Sequence, residues 1–393
     1  MPASSTRLRI VGARVLYGKA FADAQLGVEL GVLTDGALPT VNLTGYLVLP
    51  GIVDLHGDAF ERHMAPRPTA AFPMRTGLIA TDRDAAANGV TTAWMAQSWS
   101  WEGGVRGPDY AEDFLQAHAS YRDEMATDLR VQLRCETYTM DTQERLIETV
   151  QRHRVDYVVF NDHLSEAVDL SVKDPDSLRL WAKKAGRSPQ EHMDLVRSCK
   201  AREKEVPRYL CNLATAFDRI GVRYGSHDDP DGATRERFSM IGAKICEFPT
   251  SMGAAVVART WEDPILMGAP NVVRGGSQSG NVSAEILIEN RACDALVSDY
   301  YYPALSQAAF ALSDRGIMPL ADAWMMISAN PARIMGMDDR GVIEQGRRAD
   351  LAIVNEATRA IEGTMSGGRW THLCGELAAR VSQVGHSVQV AAE

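Results

Sequence analysis

Across 393 residues the sequence holds only six cysteines, at 135, 199, 211, 246, 293 and 374, and no two of them form a CxxC pair. That spacing supplies neither a disulfide framework nor a thiolate metal site, and it reads as reduced thiols in a cytoplasmic protein. Long apolar runs are missing as well. The opening MPASSTRLRIVGARVLYG passes straight into an alternating strand pattern, so neither a signal peptide nor a membrane span is expected. Positive charge is in deficit: 41 Lys and Arg face 51 Asp and Glu, for a net charge of -10. This argues against a general nucleic-acid or anionic-membrane surface, and a polyanionic substrate would need a local basic pocket or metal ions to offset the field. Pro- or Ser-rich linkers, low-complexity tracts and internal repeats are absent. The length then allows one large barrel with an appended lobe, or two or three ordinary domains.

What is present is a globular balance of 45% hydrophobic and 23% charged residues. Short β-rich runs broken by turn residues fill 7–48, and similar material returns at 349–354 and 369–375. One small β lobe built from both termini, 1–48 plus 344–393, is the expectation. Residues 49–343 alternate β-branched runs with amphipathic helical stretches. Candidate strands are 48–56, 91–97, 131–138, 156–163, 222–227, 243–248, 264–273 and 295–300. Eight strands with helices between them is the α/β pattern of a (β/α)8 TIM-like barrel. The long segment after His163 reads as an insertion into a βα loop.

The chemistry concentrates at the predicted strand ends. In Leu49-Pro50-Gly51-Ile52-Val53-Asp54-Leu55-His56-Gly57-Asp58, strand alternation would let His56 and Asp58 project together. They would do so at the C-terminal end, where barrel enzymes keep their catalytic groups. An imidazole beside a carboxylate is half of a divalent-metal site, and equally an ordinary strand end with a turn Asp. Later ends supply Arg134-Cys135-Glu136, Asn161-Asp162-His163, Ser226-His227-Asp228-Asp229, Glu247-Phe248-Pro249 and Ser298-Asp299-Tyr300. Burying that many ionisable groups unpaired costs several kcal/mol each, and metal ions remove the penalty. The stretch Arg274-Gly275-Gly276-Ser277-Gln278-Ser279-Gly280-Asn281, placed here as a loop following a strand, suits phosphate oxygens or serves as a tight βα connection. Prolines on both sides of Arg67 restrict its loop, either to aim the guanidinium at the site or as part of a solvated connection.

These strand-end residues resemble the amidohydrolase superfamily, as does the return Arg340-Gly341-Val342-Ile343-Glu344-Gln345-Gly346-Arg347-Arg348-Ala349-Asp350-Leu351 into the β lobe. Blocks at 56–68, 134–136, 161–163, 226–229, 247–251, 266–282 and 298–303 are similar to a branch of that superfamily. Its members cleave a ribose 1-methylphosphonate triphosphate to diphosphate and a 5-phosphate during phosphonate breakdown. The resemblance implies one or two divalent metal ions, zinc with manganese or iron left open, held by His56, Asp58, Glu136, His163, His227 and Asp299. It further implies Glu136 as the bridging ligand and Asp299 as the proton-handling carboxylate. His63, Arg67, Arg274, Gly275, Gly276, Ser277 and Asn281 would bind the phosphorylated ribose. Two positions depart from the branch: Gly57 where Thr is common, expected to be silent, and Gln278 where some members carry His, which bears on exact substrate. An amide-cleaving hydrolase or a non-catalytic scaffold are the alternatives. A homo-oligomer is a general expectation for barrel enzymes.

Overall fold

The computed structural model describes residues 6–67, 70–277 and 280–390. Eight parallel strands form the central sheet: β1 (Ile52–Gly57), β2 (Val90–Trp99), β3 (Asp128–Glu136), β4 (Tyr157–Asn161), β5 (Arg223–His227), β6 (Ile245–Glu247), β7 (Ile265–Gly268) and β8 (Ala295–Val297). They neighbour one another in chain order. A parallel bridge between Gly57 and Asp299 brings the first and last strands together, with Asp58 N–H donating to the Asp299 carbonyl at 2.7 Å and Asp299 N–H to the His56 carbonyl at 3.0 Å. Buried on both faces, β1, β2 and β4 are fully enclosed, which is why they read as continuous apolar runs. Val53, Leu55, Trp94, Tyr157, Val159 and Ile245 fill the barrel interior.

A six-stranded sheet joins Tyr46–Pro50, Arg14–Tyr17 and Ala20–Asp23 to the C-terminal strands Leu351–Asn355, Ile361–Ser366 and Arg369–Leu373. A four-stranded sheet of 8–42 lies in the same region, and both sheets contribute to one apolar cluster around Ile10, Val28, Val48 and Ile353. The single strand expected over 48–56 is divided. Tyr46–Pro50 pairs with Leu351–Asn355, and the barrel begins at Ile52. Gly51 makes the passage possible, because a Cβ there would meet the Thr91 Oγ1 at 2.4 Å.

The strand expected over 264–273 is also shorter than its apolar run. It ends at Gly268, and helix α1 (Ala269–Arg274) follows, with Pro270 in its first turn and Gly275 closing it at φ 76°. Proline is tolerated at that position because no intrahelical N–H is needed there. Arg274 is therefore the last residue of a helix, where a loop directly after a strand was expected. After His163 the inserted segment forms three helices, Leu164–Lys173, Pro175–Lys184 and Pro189–Ala201.

Candidate active site

β1 aims His56 through an irregularity. Val53 and Leu55 face the barrel interior, so strict alternation would send His56 outward with Asp54. A register shift between Asp54 and Gly57 turns the ring inward instead. Asp54 stays behind, fully buried, accepting from the Ser298 N–H at 2.8 Å and the Ser298 hydroxyl at 2.6 Å. Gly57 is not a silent position in this setting, since a Cβ on it would stand 2.7 Å from Ser298 Oγ and 3.0 Å from Asp54 Oδ2.

Three other strand ends share a different device. Asp228, Phe248 and Asp299 adopt left-handed backbone angles, φ 59°, 50° and 56°, which cost about 1–2 kcal/mol for residues with a Cβ. Each is held by a bond to the next strand: Asp228 N–H to the Glu247 carbonyl, Phe248 N–H to Leu266, and Asp299 N–H to His56. The turns bring side chains from β5, β6 and β8 over the barrel mouth. Beneath β5, Asp229 accepts from Ser226 Oγ at 2.6 Å and from the fully buried Arg235 at 3.2 Å. The second Asp of Ser226-His227-Asp228-Asp229 is thus a structural anchor.

Two groups of metal-capable donors result among the described residues. His56, His227 and Glu247 each offer an atom within 4.8 Å of the other two, and Glu102, Glu136 and His163 do the same. In the first group His56 Nδ1 lies 2.9 Å from Glu247 Oε2, and the two imidazole centroids are 5.0 Å apart. Yet His56 Nδ1, His227 Nδ1 and Glu247 Oε2 are all buried without an aligned hydrogen bond. Glu247 is steadied through its other oxygen, which accepts from Tyr157 Oη at 2.6 Å and Gln132 Nε2 at 2.7 Å. Buried polar atoms without partners are rare enough to need an explanation. A divalent cation supplies one here, and the N/O donor set suits zinc, manganese or iron. In the second group His163 Nδ1 approaches Glu136 Oε1 at 2.6 Å, and its backbone N–H donates to Glu136 Oε2 at 3.1 Å. Glu102 is already engaged by Arg106 and by the Trp181 indole of the inserted helices. Among the described residues, buried atoms without hydrogen bonds thus mark the first group and not the second.

Electrostatics follow from burial and crowding. Burial makes His56 harder to protonate, but the Glu247 carboxylate outweighs it and the net direction is upward. Burial, with the positive charge of Arg134 and His56, lowers His227 against the opposing Asp228. Glu136 ends below the usual carboxylate range because His163 overcomes its burial. Asp299 is pushed up to about 6, first by burial and then by Asp58 and Asp228, against the opposing His56 and Arg134. A carboxyl poised near neutrality is suited to proton transfer.

Over this floor lies a cavity of about 330 Å³. It collects His56, Asp58, His227 and Asp299 from the sequence-derived metal set, and Arg274, Gly276, Ser277 and Asn281 from the substrate set. Glu136 and His163 sit beside it in the second donor group. Arg67 and His63, expected at the substrate, do not line it. Arg67 is exposed with its backbone bridged to Ala70, and His63 Nε2 pairs with Asp84 at 3.1 Å. Gly275 is taken up in ending α1, and Gln278 lies outside the described residues. Sequence reasoning missed Glu247, Glu102, Arg106 and Arg134 as site groups. Glu247 and Arg134 had a signal, their place at predicted strand ends, whereas Glu102 and Arg106 lie in the turns after β2 and carried none.

Residues 276–371 match the profile of the Amidohydrolase family. The chain is 31% identical over 349 residues, 86% of its own length and 88% of the relative's, to the alpha-D-ribose 1-methylphosphonate 5-triphosphate diphosphatase of Escherichia coli K12. Among solved structures, N-acetylglucosamine-6-phosphate deacetylase from Pasteurella multocida aligns with a TM-score of 0.61 at 12% identity, over 93% of this chain and 99% of that one. A beta-aspartyl dipeptidase from Fervidobacterium islandicum aligns with a TM-score of 0.61 at 15% identity, over 95% and 98%. At such identities these two share the fold alone. The chain belongs to the amidohydrolase family and is a hydrolase.

Proposed function

We propose that the protein hydrolyses a phosphoanhydride in the cytoplasm, taking alpha-D-ribose 1-methylphosphonate 5-triphosphate and water to the 5-phosphate and diphosphate. The observation that carries this reading is the cavity itself. Arg106, Arg134 and Arg274 line it beside the metal-capable donors, in a chain whose net charge is -10. The similarity to the Escherichia coli diphosphatase supports the same substrate. His56, His227 and Glu247 would hold a divalent ion, with Asp58, Asp299 and the Glu136–His163 pair available to a second. When bound, such ions acidify water toward neutral pH and neutralise charge on a transferring phosphoryl group. Asp299 takes the proton from the attacking water. Arg274, whose guanidinium reaches Tyr300 Oη at 3.5 Å, neutralises charge on the triphosphate, while Ser277 and Asn281 donate hydrogen bonds to its oxygens. Phe248 packs against both His56 and His227 at 5.1 and 5.0 Å and keeps that side of the floor dry.

A phosphorus NMR time course on the ribose triphosphate with metal-reconstituted protein tests the reaction. Diphosphate and a 5-monophosphate should accumulate together. No turnover with metal demonstrably bound overturns the reading and turns attention to amide substrates.

A further inference from the structure

β3 sends three alternate side chains into the barrel, Gln132, Arg134 and Glu136, and two of them have evident partners. Gln132 donates to Glu247, and Glu136 holds His163. Arg134 has none. Its side chain is nine-tenths buried, its Nε is orphaned, and the guanidinium makes no ion pair and no hydrogen bond among the described residues. The backbone beneath it is locked in the ladder between Ser98 on β2 and Val159 on β4, so only side-chain torsions remain free. A cation this deep in a barrel, with no ion pair among the described residues, is costly unless a ligand or solvent in the cavity meets it. Glu136, Asp228 and Asp299 feel its charge, but none of them forms an ion pair with it, and Glu136 lies instead against His163. The guanidinium lines the cavity alongside His56, His227 and Asp299.

We propose that Arg134 is the deep anion receptor of the site, donating paired N–H bonds to the non-bridging oxygens of the phosphoryl group that lies over the metal-capable donors. This rests on the phosphoanhydride reading and deepens it, assigning Arg274 to the mouth and Arg134 to the reacting end. A planar fork matches two oxygens of one phosphoryl group, and burial strengthens both bonds. A neutral amide offers that fork no charge.

The test uses the metal-loaded protein with inorganic phosphate as the probe, titrated calorimetrically against wild type, Arg134→Gln and Arg134→Lys, with malonate as the carboxylate control and metal content checked in each. Arg134→Gln should weaken phosphate binding about ten- to hundredfold, Arg134→Lys should restore part of it, and malonate should bind more weakly than phosphate to wild type. Because Arg134 makes no ion pair or hydrogen bond among the described residues, the ligand-free melting temperature of Arg134→Gln should stay close to that of wild type. Equal phosphate affinity in wild type and Arg134→Gln overturns the assignment, as does a lowered melting temperature with unchanged affinity, or malonate binding as tightly as phosphate. Turnover of the ribose triphosphate separates the two ideas. Phosphate binding that depends on Arg134 without cleavage removes the proposed reaction and keeps the receptor. Cleavage with an unchanged kcat/KM in Arg134→Gln does the reverse.

Discussion

Asp299 joins three properties in one residue: a left-handed backbone, a closing bond to β1, and a carboxyl lifted to about 6. Asn tolerates the same backbone region, so Asp299→Asn keeps the geometry and removes the proposed proton acceptor. Turnover should be lost while most bound metal is retained, and near-normal activity in that variant would take Asp299 out of the mechanism. Glu247→Gln should act oppositely, releasing metal when the protein is dialysed, because the orphaned oxygen it carries toward His56 becomes half amide. Metal retained at the wild-type level would leave the first donor group without its carboxylate role. Gly57→Ala places a methyl against Ser298 Oγ and Asp54 Oδ2. Overpacking of this kind costs about 1–3 kcal/mol, and it presses on the β1–β8 closure that seats Asp299. Chemical denaturation of the variant measures the loss, and wild-type stability would show that the pocket relaxes freely.

At the scale of elements, strands supply positions and their irregular ends supply aim. The His56 ring owes its direction to a register shift in β1, and the side chains beyond β5, β6 and β8 owe theirs to single left-handed residues. Alternation patterns predict the strands but do not reveal such turns, because Phe carries no signature for them and Asp only an enrichment that it shares with every ordinary turn. The helix Pro108–Tyr121 illustrates how elements are also tied at the opposite end of the barrel. Its His118 is buried, and Nε2 donates to the Leu129 carbonyl of β3 at 2.8 Å. Burial holds this imidazole below its ordinary value, with the Leu129 bond opposing. The unfolded chain therefore takes up a proton first as pH falls through about 6.5, and native stability is lost from there down to the folded value. His118→Gln should lose less melting temperature between pH 7.5 and 5.5 than wild type does. Identical losses in the two proteins would show that His118 contributes nothing to acid sensitivity.

For the whole molecule, an acidic chain sets three arginines, Arg106, Arg134 and Arg274, into a cavity that Asp58, Asp228, Asp299 and two imidazoles already crowd. Removing the metal should expose the cost of that crowding. Chelation is expected to abolish activity and lower the melting temperature together, since ligands that bind only the folded state stabilise it, and re-addition of zinc, manganese or iron should restore both. Among the described residues no helix is long and apolar enough to cross a membrane. Strands such as β1, β2 and β4 were legible because they are largely apolar and enclosed on both faces, and the ends of the predicted strands carried His56, Glu136, His163, His227 and Asp299 as ionisable groups. Residue types and their order along the chain thereby determined the barrel, the family resemblance and most of the metal-capable set. Only the tertiary structure decided the grouping. Glu102 enters beside His163 from a turn far away in sequence, Glu247 meets His56 across the barrel, Arg67 stays at the surface, and Arg134 is left buried without a hydrogen-bond partner for its Nε among the described residues. Those outcomes depend on distances across the barrel mouth, set by closure of β1 against β8, and no spacing along the chain encodes them.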